Sequence, residues 1–135
     1  MKCVIIINSE LEMGLIANAA AVLGISLSRE IDEILGEDIK DADGRVHKGI
    51  TRLPIPILQM TGEALREKYD SVLESADEEI KVIAFNDVAQ KSLAYEDYRE
   101  KLSKKRADSI KYLGICLCGP KKKINRLTGN LKMLR

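Results

Sequence analysis

Tryptophan is absent, phenylalanine occurs once, and aromatic residues together make up 4% of the 135 residues. So few rings exclude a base-stacking platform of the kind that single-strand nucleic-acid binders use. They leave the core to Ile, Leu, Val and Ala, side chains suited to helix-on-sheet layers. Histidine also occurs once, and the three cysteines form no CxxC pair. Metal centres draw on several such ligands, so no metal site is expected, and no motif asks for a cofactor. An odd number of cysteines without a secretory leader indicates reduced thiols and a cytoplasmic location. The N-terminal apolar run from Cys3 to Ile7 is too short for a signal core or a membrane span, and no other stretch reaches membrane length.

What is present is balanced. Apolar residues make up 45% and charged residues 32%, the proportions of a globular rather than a disordered chain. The expectation is one domain over residues 1–135, with no repeat or Gly/Ser linker to divide it. The net charge of +1 conceals a division. Residues 1–98 carry 10 basic and 19 acidic side chains, net −9, whereas residues 99–135 carry 12 basic and 2 acidic, net +10. Such a basic end can meet phosphates, acidic partners or the chain's own acidic part.

Cys3 to Ile7 is continuously apolar and mostly β-branched, which describes a central strand covered on both faces. Leu15 to Leu27 reads as an apolar helix whose Ala17, Ala19, Ala20, Ala21 and Gly24 permit close approach to a sheet. Residues 29–49 are polar and turn-rich. In Ile50 to Leu58, Pro54 and Pro56 drop two N–H groups on the same side, which predicts an edge strand. Thr61 is a suitable N-cap for a helix to about Ser75, and Lys81 to Phe85 makes a third strand. Tyr95, Tyr98 and Leu102 mark one face of a further helix. Tyr112 to Cys118 makes a fourth strand, with Cys116 and Cys118 on one face as buried thiols. Pro120 opens a last helix that Thr128-Gly129 ends, and Leu131 to Leu134 has the makings of a short edge strand. The expected fold class is α/β, a small mixed four-stranded sheet with helices on both faces.

Two resemblances bear on this outline. Glu10-Leu11-Glu12-Met13-Gly14 after the first strand is similar to the Asp-Leu-x-Met-Gly turn of type 2 peptidyl-tRNA hydrolases. Gly119-Pro120 with Leu127-Thr128-Gly129-Asn130-Leu131-Lys132-Met133-Leu134 resembles the closing pattern of the same family. A fuller resemblance, over nearly the whole chain, is to an uncharacterised domain-of-unknown-function family placed in that hydrolase-like fold. It rests on Asn8-Ser9-Glu10-Leu11, Gly14 to Ala20, Asp41-Ala42-Asp43-Gly44 with His47 and Gly49, Pro54 to Leu58, and Leu127 to Lys132. It implies the type 2 peptidyl-tRNA hydrolase-like fold and no established activity. Of the hydrolases' catalytic set, the resemblance carries over only the aspartate, to Asp87. Leu15, Ile16 and Ala17 follow Gly14 where the hydrolases have a lysine, and Val88-Ala89-Gln90 offers no threonine. A leucine cannot supply a lysine's charge stabilisation, so peptidyl-tRNA hydrolysis by that mechanism is not expected.

The remaining candidates come from the residues themselves. Asn8, Ser9 and Glu10 leave the first strand at its carboxyl end, where ligands of open α/β sheets collect and where the next helix turns its free N–H groups. Asn18 interrupts an apolar helix, so it is expected to be buried, and either to face a ligand or to satisfy a backbone group. With Asn18, Asp87 can orient a water as general base, or it can simply cap a helix. His47 can titrate near neutrality as acid, base or ligand, or decorate a loop. Asp41-Ala42-Asp43-Gly44 lacks the spacing and the closing Glu of a calcium loop and reads as a turn. Lys121, Lys122 and Lys123 in the first turn of a helix oppose its dipole unless a phosphate sits there, and could join Lys104, Lys105 and Arg106 in an RNA-facing patch. Alternatively they form a solvated face. The expected function is a ligand- or RNA-binding module rather than an active peptidyl-tRNA hydrolase, with a diverged hydrolase of a small or nucleotide-like substrate as the alternative. The expected partners are RNA or a small nucleotide-like ligand, not a membrane, and a homodimer is compatible with either reading.

Overall fold

The computed structural model describes residues 1–135. Its strands are β1 (Lys2–Asn8), β2 (Ile39–Lys40), β3 (Val46–His47), β4 (Ile57–Met60), β5 (Lys81–Asn86), β6 (Tyr112–Gly119) and β7 (Lys132–Met133). Its helices are α1 (Met13–Leu27), α2 (Gly62–Ser75), α3 (Asp87–Lys91), α4 (Tyr95–Ser103) and α5 (Lys121–Thr128). Five strands form the main sheet in the order β5-β6-β1-β4-β7, and β2 and β3 make a separate hairpin. No helix is long and apolar enough to cross a membrane.

The centre of the sheet is β1, where Cys3 to Ile7 are each at most 2% exposed. Alternate side chains of a strand point to opposite faces, and here both faces are covered. Cys3, Ile5 and Ile7 pack with Ala19, Leu23 and Leu27 of α1, together with Phe85, Leu113, Cys116 and Cys118. Val4 and Ile6 pack with Leu65 and Val72 of α2 and Ile124 of α5. β4 and β5 run parallel to β1, directly in the case of β4 and through antiparallel β6 in the case of β5. The mixed α/β class with helices on both faces therefore holds.

Three expectations are corrected. The sheet has five strands, not four, because Lys132 and Met133 pair with Gln59 and Leu58. The Pro54–Pro56 segment is not an edge strand: β4 begins only at Ile57 and lies between β1 and β7. Both prolines precede the ladder, and the Pro56 carbonyl accepts the Ile5 N–H at 3.0 Å, so their missing donors interrupt nothing. The close approach of α1 does not rest on its whole run of small residues, since Ala17 and Ala21 face outward. It depends on Gly114 of β6, where a Cβ would stand 2.8 Å from Ile7 Cδ1 and 3.0 Å from Leu23 Cδ1.

A methyl group at position 114 must displace the Ile7 and Leu23 side chains and would stand 3.1 Å from the Ile6 carbonyl oxygen. Gly114→Ala is expected to destabilise the fold by about 1–3 kcal/mol, the usual cost of overpacking a filled core. Urea denaturation checks this, and an unchanged midpoint would show that the Ile7 and Leu23 side chains yield without cost.

Candidate functional site

Because β1, β4 and β5 are parallel, their carboxyl ends share one edge of the sheet, and each leads into a helix there: α1, α2 and α3. Asn8 ends β1, and its Oδ1 accepts the Glu10 N–H at 2.9 Å, turning the chain out of the strand. Ser9 is tied to the end of β4, with its N–H donating to the Met60 carbonyl at 2.9 Å. The Glu10 carboxylate then reaches α2 and accepts the Gly62 N–H at 2.7 Å, while Thr61 caps that helix by accepting from Ala64 N at 3.3 Å. An anion at a helix N-terminus is favourable, and here the chain supplies its own. Gly62 leaves room for the Asn8 side chain, since a Cβ there would come within 2.8 Å of Asn8 Nδ2.

Beside this turn lies an open cavity of about 420 Å³ lined by Asn8, Gly62, Glu63, Arg66, Lys111 and Tyr112. The Arg66 guanidinium donates to the carbonyls of Ile110, at 3.0 Å, and Ala107, so it braces the loop before β6. Tyr112 packs against Tyr69 with ring centroids 4.7 Å apart, and burial raises both phenol pKa values.

Asp87 occupies the adjoining position. Asn86, not Asp87, caps α3: it is buried, and its Oδ1 accepts the Ala89 N–H at 2.9 Å. Asp87 instead forms a reciprocal pair with Lys111, its N–H donating to the Lys111 carbonyl at 2.9 Å and its Oδ1 accepting the Lys111 N–H at 3.1 Å. One carboxylate oxygen is thus engaged. Around Asp87 opens a second cleft of about 360 Å³, walled by Val88, Lys91, Lys101, Lys104 and Lys105. Lys101 pairs with Asp97 at 3.0 Å and Lys104 with Glu100 at 3.2 Å, whereas Lys91 and Lys105 have no acidic partner. The strand edge therefore joins a polar cavity to a lysine-walled cleft across the Asp87–Lys111 pair.

The other candidates lie elsewhere. Asn18 is exposed on the outer side of α1 with no hydrogen bond, which overturns its expected burial, because α1 turns Ala19, Leu23 and Leu27 to the sheet. His47 is on the β2–β3 hairpin, 2.9 Å from Asp41 Oδ2. Asp41 also accepts from Asp43 N and Arg45 N, the turn that its sequence suggested, and these bonds, led by His47, hold its carboxyl below the usual range. Lys121, Lys122 and Lys123 begin α5 at the far end of β6, roughly 24 Å of strand from the lysines of α4, so no single patch forms. Lys123 is bound to Asp77 at 2.6 Å and Glu79 at 2.8 Å, leaving Lys121 and Lys122 exposed.

Sequence reasoning picked out Lys104 and Lys105 of the cleft but passed over Lys91 and Lys101, and it missed Gly62, Glu63, Arg66, Lys111 and Tyr112 of the cavity. Only the local clustering of Lys101, Lys104 and Lys105 at the end of α4 was available as a signal. The cysteines are buried and unpaired. Hydrogen bonding from Cys116 and burial push the Cys118 thiol up to about 12, and a hydrogen bond with Cys118 pushes Cys3 higher still, so neither is a nucleophile near neutral pH. No three His, Cys, Asp or Glu side chains are placed to hold a metal ion.

Fold and site define an α/β protein with an open polar cleft at the carboxyl edge of its parallel strands. The chain belongs to a family described as "Protein of unknown function (DUF2000)", whose model matches residues 1–135. Its structure is similar to that of a protein of unknown function from Agrobacterium tumefaciens strain C58, with a TM-score of 0.84 and 23% identity. That likeness covers 98% of this chain and 96% of the other, and at this identity it shows the fold alone. No curated protein matches the chain.

Lys123 beside Asp77 holds that carboxyl below its ordinary 3.8, and the two acids raise the Lys123 pKa above 10.5. The stabilisation is complete between those values and is lost as pH falls through the lowered pKa of Asp77. Lys123→Gln should therefore be less stable than the parent near pH 7, with the gap closing as pH falls below 3.8 and through the lowered pKa of Asp77. Thermal melts across that range would read it, and a gap independent of pH would assign Lys123 a packing role only.

Proposed function

We propose that this protein is a non-hydrolysing module that binds a phosphate-bearing ligand, RNA or a nucleotide, at the carboxyl edge of β1, β4 and β5. The observation that carries this reading is the cleft in which Lys91, Lys101, Lys104 and Lys105 surround Asp87 next to the polar cavity. In that reading the lysines take phosphates, with Lys91 and Lys105 outside any ion pair, while Asn8, Glu63 and Lys111 offer polar contacts to the rest of the ligand. The Asn8 side-chain amide N–H groups have no partner and are available for it. Glu10, committed to the Gly62 N–H, shapes the cavity. Lys121 and Lys122 form a smaller basic site at the opposite end. The resemblance to type 2 peptidyl-tRNA hydrolases supports RNA as the first ligand to examine, and the missing lysine after Gly14 supports binding without hydrolysis.

Phosphate contacts release counterions, so binding of tRNA should weaken steeply with salt. Fluorescence anisotropy against sodium chloride tests this. Lys91→Gln and Lys105→Gln should each lower the slope of log K against log salt by about one contact, whereas Lys121→Gln should change it less. Salt-independent or absent binding would exclude the nucleic-acid form.

A second reading has one observation in its favour. The lysines around Asp87 could supply, from α3 and α4, the cationic charge that the chain lacks after Gly14. The free oxygen of Asp87 would then orient a water against a small or nucleotide-like substrate. Asp87→Asn keeps the acceptor for the Lys111 N–H, so it should leave the melting temperature near that of the parent and abolish any turnover found. Retained turnover would remove this reading.

A further inference from the structure

α1 is anomalous for a helix at the surface. Its 15 residues, Met13–Leu27, include no charged side chain. An amphipathic helix keeps a polar face toward water, and one that is apolar all round is normally covered. Yet the side of α1 away from the sheet, with Met13 at 84% and Ile25 at 76% exposure and Ala17 and Ala21 between them, is open. The hairpin arm beside it repeats the pattern, with Leu35, Ile39, Val46 and Ile50 exposed. Of eleven exposed large apolar residues, six lie in α1 or this arm, against one, Leu73, on α2 of the opposite layer. Both elements belong to one layer, because Ile31, Ile34, Leu53 and Ile55 at the base of the arm join the core cluster of Leu23 and Leu27.

We propose that the outer face of α1 and the adjoining hairpin arm form the contact surface for a second copy of this chain, with the two α1 helices antiparallel about a two-fold axis. Charge complementarity selects this occupant. Glu12 precedes the apolar stripe and Arg29 follows it; both are exposed and neither has an ion-pair partner. In an antiparallel pair each Glu12 meets the partner's Arg29, and the helix dipoles oppose. Ala17 and Ala21 at the crossing let the axes approach to about 8 Å. A helix about 22 Å long covers too little by itself for a standard contact of about 800 Å² per partner, and the apolar residues of the arm supply the remainder. No lysine or arginine lies on the helix face, which sets it apart from the phosphate-binding edge.

Sedimentation equilibrium of the full chain, from micromolar to hundred-micromolar concentration, tests the assembly. The parent should run at twice the chain mass and Ala21→Glu at the chain mass, with an unchanged circular dichroism spectrum because residue 21 faces solvent. Glu12→Arg or Arg29→Glu alone should weaken the dimer by about tenfold, and the two together should restore it. A parent that stays monomeric throughout, one that dimerises regardless of Ala21→Glu, or a double reversal no tighter than the singles would each overturn the proposal.

Discussion

Burial of β1 on both faces is the constraint from which the other elements take their places. A strand whose odd and even side chains are all apolar must be covered twice, and hydrogen-bonded along both edges. β6 and β4 satisfy the edges, and α1 on one side with α2 and α5 on the other cover the faces. Helix crossovers from β1 to β4 keep these strands parallel, which gathers Asn8, Thr61 and, through β5, Asn86 at a single edge. The candidate site is a consequence of that covering. Helix starts collect where parallel strands end, and the chain already fills one of them with Glu10.

The electrostatics are arranged in space rather than along the chain. Residues 99–135 carry net +10, but β6 divides their lysines between the two ends of the sheet. At the α5 end, Lys123 is balanced by Asp77 and Glu79 from the acidic part of the chain. At the strand edge, Lys91 from the acidic part joins Lys101, Lys104 and Lys105. Part of the basic excess therefore serves internal balance, and part surrounds Asp87.

Asn18 shows how such readings fail. An amide amid alanines looks like a buried polar group in sequence, where the helix appears apolar on every side. In the fold Ala19, Leu23 and Leu27 reach the sheet with Ile16, Ala20 and Val22 beside them, and Asn18 falls on the other side. The same uniform apolarity leaves Met13 and Ile25 in water, which is the physical ground for expecting a second copy there.

Local pattern alone determined β1, α1, α2, β5, β6 and α5, because continuous β-branched runs, caps and proline carry their conformations in neighbouring residues. It also marked Asn8, Glu10 and Asp87 as residues leaving strands. Pairing decided the rest. Lys132 and Met133, where the sequence suggested a short edge strand, join as the fifth strand because β4 offers an open edge to receive them. Pro54 and Pro56 cease to define an edge because the ladder starts after them. The tie between Asp87 and Lys111, the cavity bounded by Gly62 and Tyr112, and the separation of the two lysine groups depend on which strands lie side by side. That order is set by long-range burial, which no short stretch of sequence contains.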